Sequence, residues 1–321
     1  MPEPYLLRPW AAMAAALALF AIWSNSFIAV GFLVGSEGAS ARFDWVGLTV
    51  ARFLPAAAVC WLFCLVFRWR ESVQIIENHW RRLLVCGFFA VPGYNLCLVF
   101  GQQSGVPAPV ASLITTLVPL LVMNLAWSFL DERPTARRLI GFAVAMAGMI
   151  VVSLAKRAEA TGLYPLLIAI TAGAPLSWSI YTVLSKPLVR RVSPLVWTYL
   201  TTGVGGLLIL PLLPGDAWRQ WRHLDAAGWL ALLYLSIPCT VLGFAIWVWL
   251  LRHLPASSVG FTVFLNPPLT TSFKRVWTLL LPGTFVFTIQ RQEWLGGAIV
   301  LVGIAIALWQ SQAPKNRRQG R

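Results

Sequence analysis

Charged side chains are scarce in this sequence of 321 residues. They make up 11% of the chain, against about 25% in soluble proteins. Hydrophobic residues make up 58%, and the mean hydropathy is +0.73. Ten helices of ~20 residues would use ~200 residues and leave ~120 for every loop and tail, which excludes a separate catalytic head, nucleotide-binding cassette or nucleic-acid-binding module. The composition predicts an all-α polytopic membrane protein.

Acidic residues, histidines and cysteines are also few, with 11, 3 and 5 of them respectively. No predicted span has an Asp or Glu in its core, which argues against proton-for-cation exchange through a membrane-embedded carboxylate. The cysteines fall within spans without metal-ligand spacing and are interpreted as small apolar filler, and the three histidines are far apart in sequence. No metal and no cofactor are therefore expected.

The apolar stretches predict ten transmembrane spans. The first continues too far to be the apolar region of a cleaved signal peptide, so we expect an uncleaved first span. The predicted spans cover residues 10–34, 45–67, 83–101, 107–130, 138–155, 163–184, 194–213, 228–250, 256–275 and 294–310.

The basic residues predict the orientation of these spans, because Lys and Arg are retained in cytoplasmic loops. With the N-terminus inside, inner segments would hold 16 of them and outer loops 6. Both termini are therefore expected in the cytoplasm. The inner set is Arg8, Arg68, Arg70, Arg81, Arg82, Arg133, Arg137, Arg138, Lys186, Arg190, Arg191, Arg252, Lys315, Arg317, Arg318 and Arg321; the outer set is Arg42, Lys156, Arg157, Arg219, Arg222 and Arg291.

The chain contains an internal repeat. Pro107 and Pro119 recur 148 residues later as Pro255 and Pro267, while Trp23 recurs 155 residues later as Trp178. Because each copy would have five spans, an odd number, the second must enter the bilayer from the opposite side. We predict two inverted five-helix repeats, residues 1–155 and 163–310, followed by a basic cytoplasmic tail, residues 311–321. Inverted repeats are common in alternating-access carriers.

At these motifs the chain resembles the drug/metabolite transporter superfamily, in particular the ten-helix EamA-type exporters. The resemblance implies export of small metabolites, amino acids or their analogues across the bacterial inner membrane, with the two halves enclosing a central cavity. It is carried by Trp23-Ser24-Asn25, Arg52-Phe53, Pro119, Leu130-Asp131-Glu132-Arg133, Gly141/Gly148, Trp178-Ser179, Leu265-Asn266-Pro267 and Gly296/Gly303.

One region departs from the family pattern. A Gly-Glu pair normally follows the ninth span, but this chain has Lys274-Arg275 and then an apolar stretch, and the offset between copies grows by seven residues, from 148 to 155. An insertion and a local reading-frame error would look the same. Both charges are expected to reach the outer headgroups by snorkelling, and residues 276–289 are expected to be re-entrant or interfacial because they are too short to cross.

Arg52 is the only ionisable residue well inside an otherwise apolar predicted span. Its backbone is expected ~10 Å into the hydrocarbon core, where a charge costs about 2.5 to 3.5 kcal/mol. One hypothesis is that Arg52 faces the cavity and binds a carboxylate or other anionic group of the substrate. The alternative is that it snorkels outward or pairs with Asp44.

Further polar and aromatic residues must find partners where there is no water. For any one of them, a hydrogen bond between helices is the alternative to a place in the cavity. Prolines at corresponding positions of the two copies indicate broken helices near a midplane site, although a packing kink is the alternative for each. The candidate cavity residues are Arg52, Trp23, Asn25, Tyr94, Asn95, Trp178, Tyr181, Thr240 and Asn266; the candidate gating prolines are Pro92, Pro119, Pro238 and Pro267.

Most other tryptophans fall at predicted span ends, where they are expected to anchor the protein in the headgroup belt. The set is Trp10, Trp45, Trp69, Trp80, Trp127, Trp197 and Trp309.

The sequence thus favours a secondary carrier that is not an enzyme. Its expected partners are a small-molecule substrate and the lipid bilayer, without nucleic acid, in a monomer or a homodimer. Two alternatives stay open: a non-transporting scaffold or sensor, and a membrane-embedded enzyme of lipid metabolism, for which Asp131-Glu132 is the only candidate acidic cluster.

Overall fold

The computed structural model describes residues 9–35, 40–130, 135–154, 164–213 and 217–280, together with residues 295, 296, 298, 299, 302, 303, 305 and 306. This part of the chain folds into helices and turns without a β-strand. The α-helices of residues 9–280 are α1 (Pro9–Val34), α2 (Trp45–Phe67), α3 (Trp69–Phe88), α4 (Tyr94–Gln103), α5 (Ala108–Ile114), α6 (Val118–Leu130), α7 (Ala136–Leu154), α8 (Tyr164–Val189), α9 (Pro194–Leu208), α10 (Ala217–Arg222), α11 (Ala226–Tyr234), α12 (Gly243–His253), α13 (Ala256–Phe261) and α14 (Asn266–Leu280).

Seven helical segments of the described residues are long and apolar enough to cross a membrane, which makes this a multi-pass membrane protein. They match the predicted spans one to four and six to eight: Trp10–Val34, Trp45–Phe67, Trp69–Gln103, Val110–Leu130, Leu166–Val189, Pro194–Leu212 and Ala226–His253. The fifth predicted span contains the shorter apolar helix Leu139–Gly148, and the ninth is formed by α13 and α14. Most of the tenth lies outside the described residues.

Two spans contain a π-helical segment, and two contain an internal 3₁₀ segment, at matching places in the two predicted copies; a further 3₁₀ segment, Leu210–Leu212, ends the span Pro194–Leu212. The π segments, Phe89–Gly93 and Leu235–Leu242, hold Pro92 and Pro238. The 3₁₀ segments, Thr115–Leu117 and Thr262–Leu265, end just before Pro119 and Pro267. Because proline has no N–H to donate and its ring displaces the preceding turn, it favours such local changes of helical period.

The helices of the two copies pack against each other reciprocally. Helix α2 contacts α9, the corresponding helix of the other copy. Helix α4 contacts α8, and the corresponding helices α12 and α1 are also in contact. In the same way, α6 contacts α8 and the corresponding α14 contacts α1. Where α3 meets α9 the backbones approach so closely that a Cβ on Gly205 would lie 2.6 Å from the carbonyl oxygen of Gly87, so only glycine fits.

Two lysines differ from their predicted positions. Lys186, expected in an inner loop, is buried in the last turn of α8, where its Nζ donates to the carbonyl oxygens of Leu251 and Leu254. Those carbonyls lack partners within α12 because the helix ends there, and a cation satisfies them well. The snorkelling predicted for Lys274 is wrong, since its side chain is buried and α14 continues to Leu280, while Arg275 is exposed.

The prediction of a belt anchor is wrong for Trp197. Its ring is completely buried, and its Nε1 donates to the hydroxyl of Ser185 at 3.0 Å. The indole therefore packs between α9 and α8, where burial of its large apolar surface is more favourable than a position at the headgroups. Trp10, Trp69, Trp80 and Trp127 are exposed, Trp45 is half-buried, and Trp309 lies outside the described residues.

Candidate functional site

A cavity with room for about 40 Å³ of water-sized molecules lies between the two predicted copies. Pockets that bind small ligands usually have volumes of about 300 to 1,000 Å³, so this cavity must widen before it can hold a ligand of that size. Both copies contribute to its wall, through helices on either side of the π and 3₁₀ segments. The lining residues are Trp23, Ser26, Phe27, Arg52, Tyr94, Asn95, Leu98, Thr115, Val118, Trp178, Phe244, Val263 and Asn266.

Among the described residues that line this cavity, Arg52 alone has a charged side chain, and it is 6% exposed. Its Nε donates to Thr240 Oγ1 at 3.0 Å, and its Nη1 donates to Asn95 Oδ1 at 3.3 Å. Its Cζ lies 5.0 Å from the ring centroid of Phe53. The guanidinium has five N–H donors and these two bonds use only two of them, so donors remain for a ligand.

Each partner of Arg52 is oriented by a π segment. Asn95 Nδ2 donates to the carbonyl oxygen of Val91 at 3.0 Å, and Thr240 Oγ1 donates to that of Leu235 at 2.8 Å. These carbonyls become available because a π segment disturbs the regular i to i−4 ladder. One partner comes from the first copy and the other from the second, so Arg52 joins the two copies at the cavity.

Aromatic rings form a further part of the cavity wall, which we call the aromatic wall. The Trp23 and Trp178 centroids are 5.4 Å apart in an edge-to-face arrangement, and Trp178 lies 4.9 Å from Phe244 and 5.5 Å from Tyr94. Trp23 is fixed further, since its Nε1 donates to the carbonyl oxygen of Cys239 at 2.9 Å, within the second π segment. These contacts give the cavity a rigid apolar side.

A third contact across the copies lies beside the aromatic wall. Ser24 Oγ donates to Asn266 Oδ1 at 3.1 Å, and Thr270 Oγ1 donates to the carbonyl oxygen of Ser24 at 3.2 Å. Asn266 is the first residue of α14 and is almost fully buried. These bonds bring α1 of the first copy against the broken ninth span of the second.

The structure brings six of the nine candidate cavity residues together and places the other three elsewhere. Thr240 lies behind Arg52 as its hydrogen-bond partner. Asn25 points away from the cavity, where its Oδ1 accepts from Trp277 Nε1 at 2.9 Å. Tyr181 is completely buried against Trp178, with centroids 5.1 Å apart. The six that line the cavity are Trp23, Arg52, Tyr94, Asn95, Trp178 and Asn266, and none of the four candidate prolines does.

Sequence reasoning missed several apolar lining residues, although the repeat contains a signal for them. Leu98 and Phe244 are 146 residues apart, as are Pro92 and Pro238. The offset of 148 applied to the candidate Asn266 finds Val118, and eight of the lining residues form four corresponding pairs: Trp23 with Trp178, Leu98 with Phe244, Thr115 with Val263, and Val118 with Asn266.

The alternative in which Arg52 pairs with Asp44 is wrong. Asp44 caps α2, where its Oδ1 accepts from Gly47 N at 2.6 Å, and its Oδ2 accepts from Gln220 Nε2 at 2.6 Å. The acidic cluster considered for an enzyme, Asp131-Glu132, lies outside the described residues. Chemically, the cavity combines one fixed cation with a broad aromatic wall, and its described lining residues include no acidic side chain. This suits a molecule that has an anionic group and an apolar part.

Comparisons with known proteins show the family and the fold of the chain. The model of the EamA-like transporter family matches the chain twice, at residues 13–154 and 165–309. A protein of Streptantibioticus cattleyicolor named "Probable terminal-alkyne amino-acid exporter" is 26% identical over 70% of this chain and 71% of its own. An "Uncharacterized transporter" of Archaeoglobus fulgidus is 25% identical over 80% of this chain and 90% of its own. A solved crystal structure has the same fold, with a TM-score of 0.67 and 20% identity over 94% of this chain and 97% of its own.

Proposed function

This chain belongs to the EamA-like transporter family, and from that premise we propose that it is a secondary transporter that exports small metabolites across the inner membrane by alternating access. Amino acids, their analogues and drug-like compounds are the expected substrates. The observation that carries this proposal is the cavity between the two copies, with Arg52 held at its wall. A relative whose name describes an amino-acid exporter supports the class of substrate.

The proposed architecture is ten spans in two inverted repeats. Three observations support it: the family model matches twice, the π and 3₁₀ segments occupy matching places, and the contacts between copies are reciprocal. Reciprocal contacts are expected when two similar units are related by a two-fold axis, because each unit then contacts the other through the same set of residues. In a carrier of this kind the two states are exchanged by rocking around a central site.

We assign substrate binding to Arg52. A carboxylate would accept from the guanidinium donors that Asn95 and Thr240 leave free, in a buried site where a charge-assisted bond is strong. The apolar part of the same molecule would lie against Trp23, Trp178 and Phe244, at the aromatic wall.

Flux through purified protein in liposomes tests this proposal. The panel contains amino acids, amino acids with a terminal alkyne, and matched amines that lack the carboxylate. We expect the native protein to transport carboxylates in preference to amines. Arg52→Ala should raise KM for carboxylates about 10- to 100-fold, the equivalent of about 1.5 to 3 kcal/mol for hydrogen bonds to a charged group.

Asn25→Ala is the matched control, because Asn25 is a polar residue of α1 that points away from the cavity. Its flux should equal that of the native protein. Flux that is unchanged in Arg52→Ala would remove the binding role of Arg52 and leave the transporter proposal standing. No flux above empty liposomes for any member of the panel would count against the transporter proposal itself.

A further inference from the structure

An ion pair joins the two copies at the predicted outer end of the molecule. Arg42, in the loop before α2, binds both oxygens of Asp225, with Nε to Oδ1 and Nη2 to Oδ2 each at 3.0 Å. Its Cζ also lies 4.0 Å from the Phe32 ring centroid. Beside this pair, Gln220 Oε1 accepts from the backbone N–H of Asp44 at 3.3 Å. The loop between α1 and α2 is thereby attached to the segment before α11.

A corresponding junction lies at the predicted inner end. Glu71 Oε1 accepts from the backbone N–H of Ser193 at 3.0 Å, as Gln220 Oε1 does from Asp44. Asp44 and Ser193 are the residues before α2 and α9, and they are 149 residues apart. The same type of contact therefore occurs in both copies, on opposite faces of the proposed inverted repeat.

Among the residues that the structure describes, no second ion pair joins the two copies at the inner end. The offset of 149 relates Arg42 to Arg191. The two π segments begin at Phe89 and Leu235, 146 residues apart, and this offset relates Asp225 to His79. His79 breaks α3 with φ −136°, at the place where Asp225 caps α11. Arg191 and His79 are both basic, and in the described residues no hydrogen bond or ion pair joins them.

We propose that the pair of Arg42 and Asp225 is an outer latch that holds the empty carrier closed outside and open to the cytoplasm. This proposal rests on the proposed alternating access. Two inverted copies exchange conformations during transport, so a latch present in both would stabilise both states equally. A latch present at one end alone favours one state. An exporter gains from this bias, because its empty cavity then faces the side where substrate is loaded.

The solvent exposure of the two side chains determines how far the latch shifts the ratio of the two states. The side chain of Arg42 is 21% exposed and that of Asp225 is 53% exposed, so solvent screens their attraction. Partly exposed pairs contribute modestly, and we expect the latch to shift the ratio of the two states about two- to five-fold.

Thiol accessibility measures this ratio without a substrate. Ser26 lines the cavity, and Ser26→Cys in a Cys97→Ala background provides the reporter. A small charged thiol reagent is added outside intact cells or to the inner face in inverted membrane vesicles. Without further substitutions, we expect faster reaction from the inner face than from outside.

Removing the latch should reverse this preference in part. Asp225→Asn retains an N-cap side chain for α11, and Arg42→Gln removes the other charge. Each should raise the outside rate about two- to five-fold and lower the inside rate. The double variant should match either single variant, because both remove one interaction.

Building the missing inner latch should have the opposite effect. His79→Asp would introduce a carboxylate at the position that corresponds to Asp225, in the copy where Arg191 corresponds to Arg42. It should lower the inside rate and raise the outside rate, and Arg191→Gln should cancel that change. Arg222→Gln, at an exposed arginine of α10 outside the pair, is the matched control and should leave both rates unchanged.

The outcomes distinguish the latch from the proposed transport. Equal rates from both sides before any latch substitution, or rates that Asp225→Asn and Arg42→Gln leave unchanged, would overturn the latch even if the liposomes show flux. Reaction from neither side in every variant would contradict alternating access as well. If the latch substitutions shift the thiol reaction rates but the liposomes show no flux, the latch is supported and the substrate panel must be widened.

Discussion

At the scale of single residues, the site depends on one cation that neutral side chains hold in place. Arg52 costs about 2.5 to 3.5 kcal/mol to place in a bilayer core, and each hydrogen bond to a charged group returns about 1.5 to 3 kcal/mol. Its bonds to Asn95 and Thr240 therefore offset much of this cost. Because neither partner is charged, the positive charge of the guanidinium remains available to attract an anion.

The outer latch has a defined dependence on pH. Arg42 holds the pKa of Asp225 below the ordinary value for a carboxyl, mainly through its hydrogen bonds. A lowered pKa means that the pair is fully present above the ordinary carboxyl pKa of about 3.9. It is lost only as pH falls through the lowered value.

We therefore expect the latch to be insensitive to pH between about 5 and 8. The measurement is the ratio of outside thiol reaction rates for Asp225→Asn and the native residue 225, each with the Ser26→Cys reporter. This ratio should stay constant over that range, and taking the ratio removes the pH dependence of the reagent and of nearby histidines. A ratio that falls toward one at pH 5 would show that the pair is already lost there.

At the scale of elements, the π segments connect the prolines to the site. The sequence predicted that Pro92 and Pro238 interrupt corresponding spans, and both lie in π segments. Neither proline lines the cavity. Instead the segments expose carbonyls that orient Asn95, Thr240 and Trp23. The hydrophobic periodicity of the sequence could not predict these hydrogen bonds. A π segment rotates every following residue about the helix axis, and the order of polar and apolar residues along the chain does not show that rotation.

Thr240 is accordingly a positioning residue, since it acts through Arg52. Thr240→Val keeps the shape of the side chain and removes the acceptor for Arg52 Nε. We expect KM for carboxylate substrates to rise on the order of tenfold, with kcat nearly unchanged, in the liposome assay. Thr240→Ser restores the hydroxyl and should restore KM. A loss of kcat without a change of KM would instead indicate a role in the conformational step.

At the scale of the whole molecule, the basic residues predict orientation, and the proposed inverted repeat requires it. Reporter fusions after residue 312 and within residues 215–225 should report opposite sides, with the first in the cytoplasm. Fusions within residues 155–163 and 215–225 should report the same, outer side. The expected result follows from the positive-inside rule and from five spans in each copy. The same side for the first two fusions would refute ten spans.

The sequence by itself determined the membrane class and the positions of most spans, and it predicted the internal repeat. These follow from local composition and from spacing along the chain, which a single sequence contains in full. It also identified Arg52, because an unpaired charge in an apolar span stands out without any knowledge of its neighbours.

Only the tertiary structure decided which polar residues face one another. Asn25 and Asn95 look alike in sequence, but helix packing turns one toward Trp277 and the other toward Arg52. Lys186 was predicted to lie in a loop, yet it satisfies the carbonyls of a helix 65 residues away in sequence. Trp197 was predicted as a membrane anchor, yet it fills a helix interface. Such outcomes depend on partners that are distant along the chain, and the free energy of burying a side chain is set by those partners rather than by its own flanking residues.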